Sequence, residues 1–412
     1  MTAHQAGVED PKWLSIVGIG EDGWEGLSHE AQEAVLSAQI IYGGSRHLAF
    51  VPEMNATRLC WPSPMGPALG QILTEHRRRL KVAVLASGDP MLLGVGASLT
   101  PHVDPEEYQV YPHLSALSLA CARLGWPVAE VSLISVVNRP IEQIVRHLAP
   151  GQRLIIYSEN GATPEKVARL LDQSGFGPST MSVLENLGGP HEHRRDLRAA
   201  SWEAAPTSDL NVIAVLCMPD GGAAALSTVP GLPDDSFETD GQLTKREVRA
   251  VTLARLSPLP RQILWDVGAG SGSISIEWMR SHVSCSAIAF EQEPKRAARI
   301  RENAMRLGVP GLKVIEGSAP STFRDLTSPD AIFIGGGLQD EAMFDACWAK
   351  LRSGGRLVVN AVTVASQARL ASLEDTHGGE LVRISVERAQ PVGRVLGWRP
   401  LMPVTQWAVV KP

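Results

Sequence analysis

The residues of this sequence best placed to do chemistry are glycines that follow an apolar run and precede a helical pattern. In Asp266-Val267-Gly268-Ala269-Gly270-Ser271-Gly272 they keep G-x-G-x-G spacing, directly after ILWDV and directly before SISIEWMR. Glycine lets the chain turn tightly and meet a ligand with no Cβ between them. The free N–H groups that open the next helix favour an anionic group. This pattern predicts capture of a nucleoside-bearing cofactor. The next apolar run, SAIAFE, ends at Glu291, where a carboxylate can accept hydrogen bonds from a ribose diol. Ala319, in EGSAP, is small enough to flank an adenine. These features in this order favour S-adenosylmethionine, which offers the loop one carboxylate in place of a pyrophosphate. An NAD(P) site and a tight turn without a ligand are the alternatives.

A second glycine set, Gly18-x-Gly20-x-x-Gly23, matches the dinucleotide fingerprint by spacing. Its chemistry opposes that reading. Glu21 and Asp22 would repel a pyrophosphate at a helix start, and the following run, AQIIYGG, ends without the acidic ribose partner. Further along, LASGDPMLLGVGASL ends an apolar run in Ser87-Gly88-Asp89-Pro90, which taken alone is an ordinary turn. No cysteine and histidine cluster has metal-ligand spacing. HRRRL at 76–80 reads as a solvated helix face.

These loops need strands and helices to hold them. Apolar runs of strand length alternate with helical patterns from residue 13 to about 218: WLSIVGIG, AQIIYGG, KVAVLASGDP, RLIIYSENG, TMSVLENLGG and NVIAVLCMP. That alternation predicts α/β layers. Residues 219–241, rich in Gly, Pro, Asp and Ser, read as a linker. The α/β pattern then resumes with TKREVRAVTLARL as a helix and QILWDVG, SAIAFEQ, LKVIEGS, DAIFIGG, RLVVNAV, VRISVERAQ and PVTQWAVV as strands. Two different α/β domains, 12–218 and 242–412, are expected in a chain of 412 residues.

Composition narrows the partners. With Lys+Arg 38 against Asp+Glu 44 and a net charge of -6, bulk attraction to nucleic acid or an anionic membrane is not expected. No apolar run reaches membrane-spanning length. The start of the chain is polar, and five scattered cysteines suit reduced thiols, so a cytoplasmic protein is expected.

The order VGIGEDG, AQIIYGGSRHL, SGDP, YPHLSALSLA (111–120) and ENLGGPHE (185–192) resembles the cyclic-tetrapyrrole methyltransferases, above all their precorrin C5 branch. TKREVR, DVGAGSG, EGSAP and FIGGG are similar to the precorrin C15-methyltransferase/decarboxylase domain. The resemblance covers about residues 13 to 410. It implies a two-lobed tetrapyrrole-methylase fold followed by a Rossmann-like class I methyltransferase fold. It also implies one S-adenosylmethionine per domain, methylation of a precorrin-6 ring at C5 and C15, and loss of CO2 from the C12 acetate to give precorrin-8 in cobalamin biosynthesis. A homo-oligomer without nucleic-acid, membrane or metal partners is expected.

By position, the resemblance assigns the cofactor to Ser87, Gly88, Asp89, Leu92, Ser115, Ala116 and Ser158 in the first domain. In the second it assigns Thr244, Gly268, Ala269, Gly270, Ser271, Gly272, Glu291 and Ala319. Two departures stand out. Gly43-Gly44 replaces a Tyr-Asp whose acid serves some relatives as a base, and Pro112-His113 replaces Pro-Gly. No catalytic acid or base is therefore assigned. A precorrin carries many carboxylates, so local cations are expected at the acceptor. Arg46, His47, Arg249 and Arg394 are the candidates, with Arg139, His191 and Lys245 behind them.

Overall fold

The computed structural model describes residues 12–203, 205–222 and 225–412. The chain divides into two units. The first takes residues up to Arg139, Gly151–Asp172 and Gly177–Met218; the second takes Pro140–Pro150, Gln173–Phe176 and Pro219–Pro412.

The first unit holds two five-stranded sheets. One is built from β1 (Leu14–Ile19), β2 (Ile40–Gly43), β3 (Thr57–Cys60), β4 (Val82–Ser87) and β5 (Tyr108–Tyr111) in the order β3-β2-β4-β1-β5. All its pairings are parallel. A parallel sheet is covered on both faces, which is why LSIVGI and VAVLAS are apolar almost throughout. Alternate residues feed opposite sides: Leu14, Ile16, Val82 and Val84 enter one core, and Val17, Ile19, Ala83 and Leu85 the other. The register sets Gly18 beside Ala86 and Ile19 beside Ser87, so the loops after β1 and β4 leave the same edge.

The other sheet comprises β6 (Val131–Ser135), β7 (Arg153–Tyr157), β8 (Thr180–Glu185), β9 (His193–Arg198) and β10 (Asn211–Leu216), in the order β6-β7-β10-β8-β9. Only β6 and β7 run parallel. β9 reads HRRDLR and has no apolar run for sequence reasoning to find; it sits at the sheet edge.

The second unit carries a seven-stranded sheet: β11 (Ile263–Val267), β12 (Ser286–Glu291), β13 (Lys313–Glu316), β14 (Ala331–Ile334), β15 (Arg356–Ala361), β16 (Glu380–Ile384) and β19 (Val404–Val410). Between the last two, β17 (Glu387–Val392) and β18 (Val395–Pro400) form a separate hairpin, so VRISVERAQ is split between two strands rather than one. The order is β13-β12-β11-β14-β15-β19-β16, with β19 antiparallel to both neighbours. Strand order reverses between β11 and β14, and a crevice forms at the carboxyl ends of strands at such a reversal.

The segment at 219–241 is not a loose tether along its length. Leu232 and Phe237 are buried in the second unit's core. Glu277 accepts from Gly231 N at 2.6 Å and Leu232 N at 3.0 Å. Its Gly, Pro and Asp content suits turns that return the chain to the surface of that unit.

HRRRL is solvated only in part and is largely a turn rather than a helix face: Arg78 and Arg79 are exposed, His76 is buried. Arg77 and Arg78 both hold Glu107, which is 1% exposed, because a buried carboxylate needs cations. Among the described residues no helix is long and apolar enough to cross a membrane, and no group of three or more His, Cys, Asp or Glu could hold a metal. Cys121, Cys217, Cys285 and Cys347 are buried, and Cys60 is exposed.

Candidate cofactor clefts

In the second unit β11 delivers the glycine loop to the crevice. Gly268, Gly270 and Gly272 all have positive φ (73°, 60° and 75°), a conformation that other residues adopt only under strain. Gly268 N donates to Phe290 O at 3.0 Å, tying the loop to β12. Gly272 starts the helix Ser273–Ser281, and a Cβ there would press on the buried Ile300.

A cavity of about 670 Å³ opens beside this loop. Thr244, Gly268, Ala269, Gly270, Ser271, Glu291 and Ala319 all line it. Gly272 does not, since its conformation serves the helix start and its packing. Glu291 is buried; its Oε2 accepts from Gly270 N at 2.8 Å and its Oε1 from Glu293 N at 3.0 Å. A carboxylate oxygen has two lone pairs, so each oxygen keeps acceptor capacity.

The residues that sequence reasoning left unassigned are as informative. Asp266 is 1% exposed, and its Oδ2 accepts from Ser275 Oγ at 2.5 Å and Ser275 N at 3.1 Å. Its Oδ1 is buried without a partner. Burial pushes its acid up to about 6, with Glu291 adding to the rise and the Ser275 hydrogen bonds opposing it. Gly335, Gly336 and Gly337, after β14, form another part of the wall. A Cβ on Gly336 would meet nothing within 4 Å. The FIGGG run was the signal, but sequence alone does not show which glycine faces the cavity.

The donor set suits a sulfonium nucleoside amino acid. Ser271 N, unlike the three loop N–H groups before it, is not given to Phe290 O or Glu291 and suits its carboxylate, and Glu291 suits its ribose diol; Asp266, just behind the wall, anchors Ser275 at the helix start.

Two cation candidates do not reach this cavity. Arg249 is 0% exposed. It is consumed by Glu277 at 2.6 Å, Asp234 at 3.1 Å, Thr244 O at 2.5 Å and Leu232 O. A guanidinium without water and with its donors taken cannot receive a substrate carboxylate, so its expected acceptor role is corrected to a structural one. Arg394 sits exposed in the β17–β18 turn, away from the cavity wall. Lys245 does line the cavity.

The first unit's cleft is smaller, about 60 Å³. Ser87, Gly88, Ala116 and Arg46 border it, together with Glu21, Leu119, Leu187 and Asn211. Asp89 and Leu92 instead build the turn behind Ser87: Asp89 Oδ1 accepts from Met91 N at 2.8 Å, and Leu92 N donates to Asp89 O at 3.1 Å. Ser115 caps the helix Ala116–Leu124 by accepting from Ser118 N at 3.1 Å. Ser158 donates to Asn211 Oδ1 at 2.5 Å and so fixes a cleft residue without lining the cleft itself. The types of residue suit a nucleoside, but a space of about 60 Å³, against roughly 30 Å³ for one water, does not admit it as it stands.

The Gly18/Gly20/Gly23 spacing has a packing cause. A Cβ on Gly18 would overlap Gly88 O, and one on Gly20 would lie 2.6 Å from Asp22 and 2.9 Å from His113. The loop is filled by protein, which leaves no room for a pyrophosphate. Glu21 pairs with Arg46, and Asp22 with His113 at 3.0 Å.

Arg46 Nη2 also donates to His47 Nε2 at 3.0 Å and reaches Ser87 Oγ at 3.4 Å. Burial, reinforced by Arg46, pushes His47 down to about 4. His47 is therefore neutral near pH 7 and is not the substrate-binding cation that was expected. Its position behind Arg46 makes it an acceptor for that guanidinium.

Residues 14–201 match the tetrapyrrole (corrin/porphyrin) methylases, and residues 235–411 match the precorrin methyltransferase domain. The chain is 45% identical over 400 residues to a precorrin-6Y C(5,15)-methyltransferase [decarboxylating] of Sinorhizobium sp., covering 97% of this chain and 96% of that one. It is 43% identical over 402 residues to a protein of the same name from Mycobacterium tuberculosis (strain CDC 1551 / Oshkosh), covering 97% and 100%. It is also similar to the C-terminal domain of precorrin-6Y C5,15-methyltransferase from Rhodobacter capsulatus. That likeness is 42% identical with a TM-score of 0.43, over 45% of this chain and 100% of that one. With a tetrapyrrole-methylase half and a precorrin-methyltransferase half matched end to end by such relatives, this chain belongs to the precorrin-6Y C(5,15)-methyltransferase (decarboxylating) family.

Proposed function

We propose that the chain methylates a precorrin-6 ring at C5 and C15 and removes the C12 acetate carboxylate as CO2, giving precorrin-8 in cobalamin biosynthesis. The N-terminal domain, 12–218, acts at C5. The C-terminal domain, 242–412, acts at C15 and carries the decarboxylation. One observation supports this reading above the others: all but Gly272 of the residues expected to hold the donor in the C-terminal domain share a 670 Å³ cavity with apolar residues on its wall. Bound S-adenosylmethionine supplies a methyl group on a sulfonium, so a new C–C bond forms as the C–S bond breaks and its electron pair returns to sulfur.

The chain's own residues align and shield. Ser271 N meets the donor's carboxylate, while Gly268, Ala269 and Gly270 give their N–H groups to Phe290 O and Glu291 and so fix the loop, and Glu291 takes the ribose. Ile384, Val386, Leu401, Met402 and Val404 exclude water from the acceptor side. Lys245 supplies a cation for the ring's carboxylates there. In the first domain Ser87, Gly88 and Ala116 receive a second donor, and Arg46 receives an acceptor carboxylate. The 60 Å³ cleft requires its two sheets to part first.

Four cysteines buried far apart in the sequence support a cytoplasmic setting. Exposed Val395, Leu396 and Trp398 on the β17–β18 hairpin support assembly with like copies.

The test is mass spectrometry of a precorrin-6 acceptor incubated with the full chain and S-adenosylmethionine. Gain of two methyl groups with loss of CO2 is expected. Binding of NADH without binding of S-adenosylmethionine, or no methyl gain, overturns the reading.

A further inference from the structure

Asn360 lines the C-terminal cavity from the end of β15, on the acceptor side with Ile384, Val386, Leu401, Met402 and Val404. Its side chain is fixed by two neighbours that do not line the cavity. On the antiparallel strand β19, Gln406 sits directly opposite it. Thr252 comes from the helix Arg246–Leu256.

The direction of every hydrogen bond in this cluster is forced. Thr252 donates its only hydroxyl proton to Val248 O at 2.7 Å, so Thr252 Oγ1 can only accept. It accepts from Asn360 Nδ2 at 3.0 Å and from Gln406 Nε2 at 3.0 Å. The other Gln406 N–H goes to Asn360 Oδ1 at 2.9 Å. Both amides are locked against a flip, and one N–H of Asn360 is left over in a residue that borders the cavity. Holding this arrangement leaves Gln406 Oε1 buried with no partner, at 1% exposure. An orphaned buried acceptor costs stability, and packing alone supplies no reason for it.

We propose that Asn360 contacts the acceptor, donating its free N–H to the acetate carboxylate that leaves as CO2, with Thr252 and Gln406 as its positioning residues. This rests on the reading of the cavity given above. In the step, the bond between the acetate methylene and its carboxylate breaks. The electron pair passes through the methylene carbon into the conjugated ring, CO2 departs, and a proton from water restores a methyl group. A neutral amide suits that step better than an arginine does. It orients the carboxylate without the added charge stabilisation of the ground state that would raise the barrier to losing it.

The experiment uses the full chain with Asn360→Ala, Asn360→Asp and Thr252→Val. CO2 loss and methyl gain are followed by mass spectrometry of a precorrin acceptor, and S-adenosylmethionine affinity by calorimetry. Asn360→Ala should slow decarboxylation roughly 10- to 100-fold while donor affinity stays within about twofold. Asn360→Asp should be slower still, since it sets a carboxylate against a carboxylate, and Thr252→Val should fall between Asn360→Ala and the native chain. Decarboxylation within about twofold of native in both Asn360 variants, with donor binding intact, overturns the proposal. Failure of the native chain to bind the donor overturns the reading of the cavity, and the role of Asn360 with it.

Discussion

The C-terminal cleft encloses about 670 Å³ and the N-terminal cleft about 60 Å³, although small and polar loop residues border both. The difference follows from topology. In the second unit one sheet reverses its strand order at β11 and β14, so the crevice exists as soon as the sheet forms. In the first unit the cleft draws on two sheets, with Gly20, Ser87 and Gly88 from one and Leu184, Asn211 and Val212 from the other. Its size depends on their separation. The loops differ accordingly. Gly268 and Gly270 border the open cavity while a Cβ on them would meet Gly336 N at 3.2 Å and Gln242 O at 3.3 Å, whereas Gly18 and Gly20 make room for Gly88 O, Asp22 and His113. Glycine spacing reports close approach, and only the fold says whether a ligand or the protein itself approaches.

The buried titrating groups also contrast. The first cleft backs Arg46 with an imidazole held neutral, and behind the second lies Asp266, a buried acid raised to about 6.

The largest expected effect separates the two clefts. Glu291→Ala removes the acceptor of Gly270 N and the ribose partner together. Donor affinity at the C-terminal cleft should fall by roughly 100-fold, with Glu291→Gln losing less. C5 methylation of an acceptor that already carries the C15 methyl should be unchanged. Loss at both clefts in a binding titration would end the claim that they are independent.

Next comes Arg46→Ala, expected to lower kcat/KM of the C5 transfer by roughly tenfold or more, because a charge-assisted contact is lost. Arg46→Lys should recover only part of it, since a lysine cannot meet Glu21, His47 and a carboxylate through a planar fork. The C15 transfer should not respond. Steady-state kinetics on the two singly methylated acceptors would show this.

The pH dependence should have opposite signs in the two units. His47 is lowered from 6.5 to about 4, so between those values the unfolded chain takes up a proton that the folded one refuses. Stability from this group falls as pH falls through that window. Asp266 is raised from 3.8 to about 6, so the folded chain holds the extra proton there and stability rises as pH falls from about 6. Relative to the native chain, His47→Gln should gain in Tm on acidification from 6.5 to 4. Asp266→Asn should show its advantage above pH 6 and lose it below. Thermal melts across that range check both, and the same sign in both variants would contradict the assignment.

The smallest effect is expected from Gly336→Ala. The position is open, so Tm should stay within about a degree while a methyl group intruding on the C-terminal cavity weakens donor binding a few-fold. A lowered Tm with unchanged binding would move Gly336 out of the cleft and into packing.

The strands that carry the clefts were legible in the sequence because parallel strands buried on both faces read as unbroken apolar runs. Gly268–Ser271 and Glu291, which line the C-terminal cavity, were legible for the same reason, since they follow or end such a run, whereas Ala319 follows the half-exposed edge strand β13. The short or polar strands β3, β5, β6, β9 and β18 were not, as TRLC or HRRDLR carry too little apolar alternation. Charge was visible but its burial was not. Arg249 meets Glu277 across 28 positions of sequence, and only the packed helices bring them together. Gln406 opposes Asn360 across 46 positions through an antiparallel register that no local pattern reveals.

We propose two separate donor clefts in the chain, one open and one that must part. This is tested most directly by calorimetric titration of the full chain, native and Glu291→Ala, with S-adenosylhomocysteine, the product form of the donor. The native chain should bind two equivalents and the variant one. One equivalent with the native chain, or two of unchanged affinity with the variant, would contradict it.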